Sequence, residues 1–284
     1  MHSTTAVSTP ALPAKKPLRP FLKWAGGKQR LISQYQDYFP DFQRINCYYE
    51  PFVGSGAIFF HYQPQNAVLA DCNLALMEVY QAVQQDVDAV IAALRPHRNE
   101  SDYFYEVRAL DLSQLTLAER AARIIYLNKT CYNGLFRENS KGKFNVPFGR
   151  YKNPTICNEN RLRHAASVLQ KVTLMSADFE DVVETAVSGD FIYLDPPYAP
   201  LSATSSFTQY DKNGFARADQ IRLSETIADL TKRGCNVMLS NSSAPIVYEL
   251  YAEDYRLIEM QARRNINSKG NQRGPIKELL ILNY

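Results

Sequence analysis

The sequence predicts an α/β fold, and three stretches carry the prediction. Asn46-Cys47-Tyr48-Tyr49-Glu50-Pro51-Phe52 reads as a strand running into Gly54-x-Gly56, and the next apolar run, Ala67-Val68-Leu69-Ala70, ends in Asp71. Strand, glycine turn, helix, strand, acid is the order of the first half of a nucleotide-binding α/β unit. Phe191-Ile192-Tyr193-Leu194 is a short buried-strand signal that ends in another carboxylate, Asp195. The apolar runs Cys235–Leu239 and Glu278–Leu282 supply further strands late in the chain. The expected architecture is a Rossmann-like sheet interrupted by a mainly helical insertion.

Taken in order, residues 1–19 are rich in Ser, Thr, Pro and Ala with Lys15, Lys16 and Arg19. They lack the apolar core of a signal peptide and are expected to be a disordered tail. A helix is expected from about Gln29 to Tyr38, stopped near Pro40, and another through Ala57–Phe60. From Leu74 to about Ala93 the apolar spacing is helical, and helical patterns continue to about Lys129. A segment rich in Gly, Asn and Pro follows, Tyr132 to Pro154. Strand signals return at Val172-Thr173-Leu174, with helices expected around Phe179–Ala186 and over Arg217–Lys232. These patterns divide the chain into an α/β domain of residues 20–75 and 158–284 and an insertion of residues 76–157.

Composition bounds the chemistry. Five scattered cysteines without a C-x-x-C pair, and four histidines without ligand spacing, argue against a zinc site or a disulfide framework and fit a reducing cytosol. No window approaches 18 apolar residues, so no membrane span is expected. The overall charge of +3 is unremarkable, but its distribution is not. Between Arg123 and Arg163 stand nine basic residues against Glu138 and Glu159, a local +7. Interleaved are Tyr126, Tyr132, Phe136, Phe144, Phe148 and Tyr151 with Asn128, Asn133, Asn139, Asn145 and Asn153. Cations suit phosphates, Arg and Asn suit base edges, and rings suit wedging or stacking, so this segment reads as a nucleic-acid face. A second basic stretch, Arg263, Arg264, Lys269, Arg273 and Lys277, reads as a phosphate-contacting loop between strands.

Two motifs carry the remaining chemistry. Asp71, 15 residues after Gly56, stands where an acid can accept hydrogen bonds from ribose hydroxyls, or else cap the helix starting near Asn73. Asp195-Pro196-Pro197-Tyr198 combines an acceptor, a stretch of backbone without N–H donors and a flat ring. That set suits a planar ring bearing an amino group; it also reads as a Pro-rich turn with a packed tyrosine. Gly26-Gly27-Lys28 fails as a P-loop, because Leu22 stands where glycine is needed and Gln29 follows the lysine. Trp24 and Lys28 are left as candidates for the mouth of a ligand pocket.

The order of five motifs resembles one family. Lys23-Trp24-Ala25-Gly26-Gly27-Lys28, Glu50-Pro51-Phe52-Val53-Gly54-Ser55-Gly56, Tyr132-Asn133-Gly134-Leu135-Phe136-Arg137, Phe144–Tyr151 and Asp195–Tyr198 resemble the Dam-type DNA adenine-N6 methyltransferases of the alpha group, from about Pro20 to Tyr284. The resemblance implies an S-adenosyl-L-methionine-dependent methyltransferase sheet, double-stranded DNA as partner, no metal, a monomer, and a bacterial or phage-type cytoplasmic setting. It implies cofactor contacts from Trp24, Lys28, Phe52, Gly54, Gly56, Asp71, Asp178, Phe179 and Asp195, and catalysis by Asp195, Pro196, Pro197 and Tyr198 on a flipped adenine. DNA contacts are implied for Lys23, Asn128, Tyr132, Asn133, Leu135, Arg137, Asn145, Pro147, Arg150 and Tyr151, with Arg137 reading a guanine of GATC. Residues 205–210 are expected to act as a lid. Methylation of cytosine N4 or of adenine in RNA, and a catalytically silent DNA-binding protein, are the rival expectations.

Overall fold

The computed structural model describes residues 17–201, 215–263 and 275–284. The expected lid, the tail up to residue 16, and Arg264, Lys269 and Arg273 lie outside the described residues. Leu18, assigned to the tail by sequence, instead donates its N–H to the Phe60 carbonyl at 3.1 Å and packs on the core.

Among the described residues one seven-stranded sheet organises the chain. Its strands are β1 (Tyr48–Glu50), β2 (Ala67–Ala70), β3 (Val172–Met175), β4 (Phe191–Leu194), β5 (Asn236–Ser242), β6 (Arg256–Arg263) and β7 (Pro275–Leu282), in the order β3-β2-β1-β4-β5-β7-β6. The first five run parallel, and β7 pairs antiparallel with both β5 and β6. All four residues of β4 are buried, as expected of a parallel strand covered on both faces. The chain moves outward from β1 through β2 to β3 and then returns to β4 on the other side of β1. The crevice at the carboxyl ends of β1 and β4 is therefore the topological switch point, where open α/β sheets bind their ligands.

The helices are α1 (Ile32–Tyr35), α2 (Ala57–Tyr62), α3 (Leu74–Gln85), α4 (Val87–Leu94), α5 (Ser101–Ala109), α6 (Leu117–Thr130), α7 (Glu159–Leu169), α8 (Phe179–Val183), α9 (Arg217–Lys232) and α10 (Pro245–Tyr251). Strand alternation sends Tyr48, Leu69, Phe191, Tyr193 and Met238 to one face, into a core with α2, α3, α6 and α7. It sends Tyr49, Ile192, Leu194, Val237 and Leu239 to the other face, against α8, α9 and α10. The helices between β2 and α7 bury Tyr80, Phe104, Leu127 and their neighbours in the first core, alongside the sheet.

Three sequence expectations change. The helix expected over 29–38 is a 3₁₀ turn, the single turn α1 and a second 3₁₀ turn; Pro40 holds Phe39 extended and ends it. The helix expected over 74–93 breaks at Asp86, whose side chain accepts from the Ala89 N–H and caps α4. In addition α7, α10 and β6 form where no element was assigned.

Candidate active site and nucleic-acid interface

Each acid expected to face a ligand follows a strand end, so sheet order sets their spacing. Asp178 follows β3, Asp71 follows β2, the Gly54 loop follows β1, and Asp195 follows β4. Adjacent strands lie about 4.8 Å apart, so this row spans roughly 14 Å.

At the β3 end, Phe179 is buried beneath Phe52, stacked at 5.6 Å, and Phe215, tilted at 5.9 Å. Asp178 accepts from the Glu180 N–H at the start of α8 and from Arg222 at 3.0 Å, and the Arg222 guanidinium lies 4.7 Å from the Phe179 ring centroid. An aromatic wall edged by an acid suits a purine. Asp71 accepts from the N–H groups of Gly54 at 3.2 Å and Asn73 at 3.0 Å. Burial raises its pKa and these two bonds work against the rise. Asn73, not Asp71, caps α3. Asp71 thus pins the glycine loop, and a carboxylate retains lone pairs for ribose hydroxyls. Gly54 has φ of +48°, and a Cβ there would come within 2.9 Å of Trp24 Cδ1. Trp24 in turn stacks on Phe136 at 5.3 Å, which joins the glycine loop to the basic segment.

At the β4 end, Asp195 is held on one side. Its Oδ1 accepts from Ser240 Oγ at 2.9 Å and lies 2.7 Å from Lys28 Nζ. Among the described residues nothing meets Oδ2, and the side chain keeps 18% exposure. Lys28 is buried, also donates to the Gly26 carbonyl, and lies 4.7 Å from the Tyr198 ring centroid. Lys28, a candidate by sequence for the mouth of a ligand pocket, has Asp195 as its neighbour here. The Pro197 carbonyl accepts from Gln220 Nε2 at 3.2 Å, while no donor among the described residues takes that of Pro196. Asn241 Oδ1 accepts from the Ala199 N–H and Asn241 Nδ2 donates to Gln220, so the end of β5 clamps the proline turn. Ser240, Asn241 and Gln220 were missed by sequence reasoning. Polar residues ending the apolar β5 run were the available signal for the first two.

Glu50, at the end of β1, is buried and accepts from Tyr48 Oη at 2.8 Å. Burial pushes its carboxyl up to about 8, opposed by the Tyr48 bond and aided by nearby Asp195. The unfolded chain releases this proton near 4.5 and the folded chain near 8. The folded state therefore binds the extra proton in between, and stability falls as pH rises through that window and levels above it. Melting curves should show this decline in the wild type and a flatter profile in Glu50→Gln.

The basic segment projects as a hairpin-like loop. Bridges join Cys131 to Phe148 and Glu138 to Phe144, and Tyr132 N–H donates to the Pro147 carbonyl at 2.8 Å. Tyr132, Asn133, Arg137, Pro147 and Arg150 are exposed on it, with Leu135, Asn145 and Tyr151 half-buried, and Lys23 is exposed beside it. Lys23 Nζ lies 4.3 Å from the Tyr151 ring centroid. Arg137 Nε donates to Asn145 Oδ1 at 2.7 Å and Nη2 to the Asn145 carbonyl at 3.3 Å, so Asn145 orients the arginine. Two residues of the segment turn inward, one of them the expected contact Asn128. Asn128 is buried and its amide is used on the Lys23 backbone and the Gly134 carbonyl. Arg123, counted in the +7, is buried and donates to the Val107 and Arg108 carbonyls. Behind the loop, a cavity of about 340 Å³ gathers Lys23, Lys129, Lys152 and Arg161. Burial, with Lys23 and Arg161 close by, pushes the Lys129 ammonium down to about 8.

The model of the D12 class N6 adenine-specific DNA methyltransferases matches residues 24–266 of the chain. This chain belongs to that family. Type II methyltransferase M1.LlaDCHI of Lactococcus lactis subsp. cremoris is 42% identical over 275 residues, covering 94% of this chain and 96% of the relative. Type II methyltransferase M.MjaIII of Methanocaldococcus jannaschii is 42% identical over 287 residues, 94% of this chain and 99% of the relative. DNA adenine methylase of Escherichia coli K12 is 37% identical over 268 residues, 93% and 95% respectively. The D12 match spans the glycine loop, the basic loop and Asp195–Tyr198 alike. No helix of the described residues is long and apolar enough to cross a membrane.

Proposed function

We propose that the protein transfers the methyl group of S-adenosyl-L-methionine to N6 of an adenine flipped out of duplex DNA, within GATC. It would act as a cytoplasmic monomer in restriction–modification or regulation. The observation that carries the reading is Asp195 at the switch point, held through Oδ1 by Lys28 and Ser240 with Oδ2 left to a substrate. The acids and rings along the strand ends suit an adenosyl group. When bound, the cofactor supplies a methyl group already activated on a sulfonium.

The chain's own residues have two tasks. The target amine is buried in the duplex and its lone pair is delocalised into the purine ring. Flipping costs a few kcal/mol, and stacking on Tyr198 offsets part of it. Asp195 Oδ2 and the Pro196 carbonyl each accept one N–H of the amine, which turns its lone pair out of conjugation and toward the methyl group. Lys28, 2.7 Å from Oδ1, holds the Asp195 side chain in place. Methylation makes the nitrogen acidic, and its proton then leaves to Asp195 or water. Trp24 links this chemistry to the loop bearing Arg137 through Phe136. The test is incubation with cofactor and unmethylated duplex DNA or, in a separate reaction, RNA, followed by digestion to nucleosides. N6-methyladenine is expected; N4-methylcytosine would move the reading to cytosine, and methylation of RNA alone would remove DNA as substrate.

Lys129 supplies a further prediction. Its ammonium attracts a DNA phosphate only while protonated, so affinity for a short duplex should weaken as pH rises through about 8. Lys129→Met should remove that pH dependence and lower the salt slope by about one. Fluorescence anisotropy across pH and salt measures both.

A further inference from the structure

Glu278 lies on β7, beyond the residues 24–266 that match the family. Tyr198 Oη donates to Glu278 Oε2 at 2.8 Å, and Tyr35 Oη donates to the same oxygen at 3.3 Å. Tyr35 is fully buried in α1, and β7 sits between β5 and β6, paired through Glu278 with Ser242 and Met260. The carboxylate therefore stands on one of the most constrained strands of the sheet. A half-buried carboxylate costs free energy unless strong donors meet it. Here two phenols do, and burial together with the surrounding acids holds the Tyr198 hydroxyl in its protonated, donating form.

We propose that Glu278 is a positioning residue that fixes Tyr198, and through it the flipped adenine, for methyl transfer. The inference rests on the reading of Tyr198 as the stacking ring. The phenol oxygen lies on the ring's own axis, so its bond to Glu278 fixes where the axis points. Rotation about that axis stays free, and the Lys28 ammonium near the ring limits it. A base that stacks on a ring so held meets Asp195 in one orientation, and orientation is where this reaction gains its rate.

The test compares Glu278→Leu, Glu278→Gln, Tyr198→Phe and Tyr198→Ala in the full chain. Single-turnover methyl transfer should fall roughly tenfold or more in Glu278→Leu and in Tyr198→Phe, which lose the same charge-assisted bond. The double variant Tyr198→Phe with Glu278→Leu should be no slower than either. Glu278→Gln should stay near wild type, because its amide oxygen still accepts. Cofactor and DNA affinities should hold within about twofold, the range in which packing rather than a lost contact is being read. With 2-aminopurine at the target position, fluorescence of the complex should be brighter in Glu278→Leu, as an unstacked base is. If Glu278→Leu does not fold, Tyr198→Phe carries the comparison alone. Wild-type turnover in Glu278→Leu or Tyr198→Phe would overturn the inference, as would Glu278→Gln as slow as Glu278→Leu, which would make charge the cause. Wild-type turnover in Tyr198→Ala would overturn the reading of Tyr198 itself. An inactive Tyr198→Ala beside a fully active Glu278→Leu would remove only the positioning role.

Discussion

Replacing Asp195 by alanine should remove methyl transfer while leaving the fold and duplex binding in place. The side chain follows β4 and is held by Lys28 and Ser240, outside the apolar residues that make the two cores. What is lost is the acceptor aimed at the amine. Preorganised polar groups of this kind carry roughly 10²–10³-fold each, and this one also orients the nucleophile. The loss should therefore reach at least that size in single-turnover rate, with circular dichroism and DNA affinity near wild type. The variant also leaves Lys28 buried without its carboxylate, so a modest drop in melting temperature should accompany the loss. Turnover close to wild type would remove Asp195 from the site.

Arg137→Ala should cost roughly 1–3 kcal/mol of discrimination at one base pair, the worth of a bidentate contact to guanine. The exposed guanidinium is oriented by Asn145 through Nε and Nη2. Transfer to the cognate site should fall roughly tenfold to a hundredfold, while sites altered at the position Arg137 reads fall much less. Competition between such duplexes measures the ratio. Equal losses on every sequence would make Arg137 a phosphate contact. Asn145→Ala should give a weaker version of the same pattern, since it loosens the arginine without removing it.

Much of this was legible in the sequence because the site is built from strand ends. Six strand signals and the Arg217–Lys232 helix were readable as apolar runs and helical periodicity; Asp71 and Asp195 were placed by the strands they follow, whereas Asp178 came only with the family resemblance. What was not legible depends on partners far apart in sequence. Lys28 and Asp195 meet across 167 positions, Tyr198 and Glu278 across 80, and Lys23 and Asn128 across 105. An exposed-looking asparagine in a basic segment gives no sign that its amide is spent on the backbone of a distant turn. The short elements escaped for another reason. Seven residues of α10 hold too few turns for a period, and β6 carries its apolar residues on an outer strand mixed with Arg256, Glu259 and Gln261.

The most direct measurement is the transfer of a tritiated methyl group from S-adenosyl-L-methionine to two duplexes that differ only in an intact or scrambled GATC. After digestion, label is predicted in N6-methyladenine, from the GATC duplex and not from the scrambled one. Equal label from both duplexes, or label on cytosine, would contradict the account.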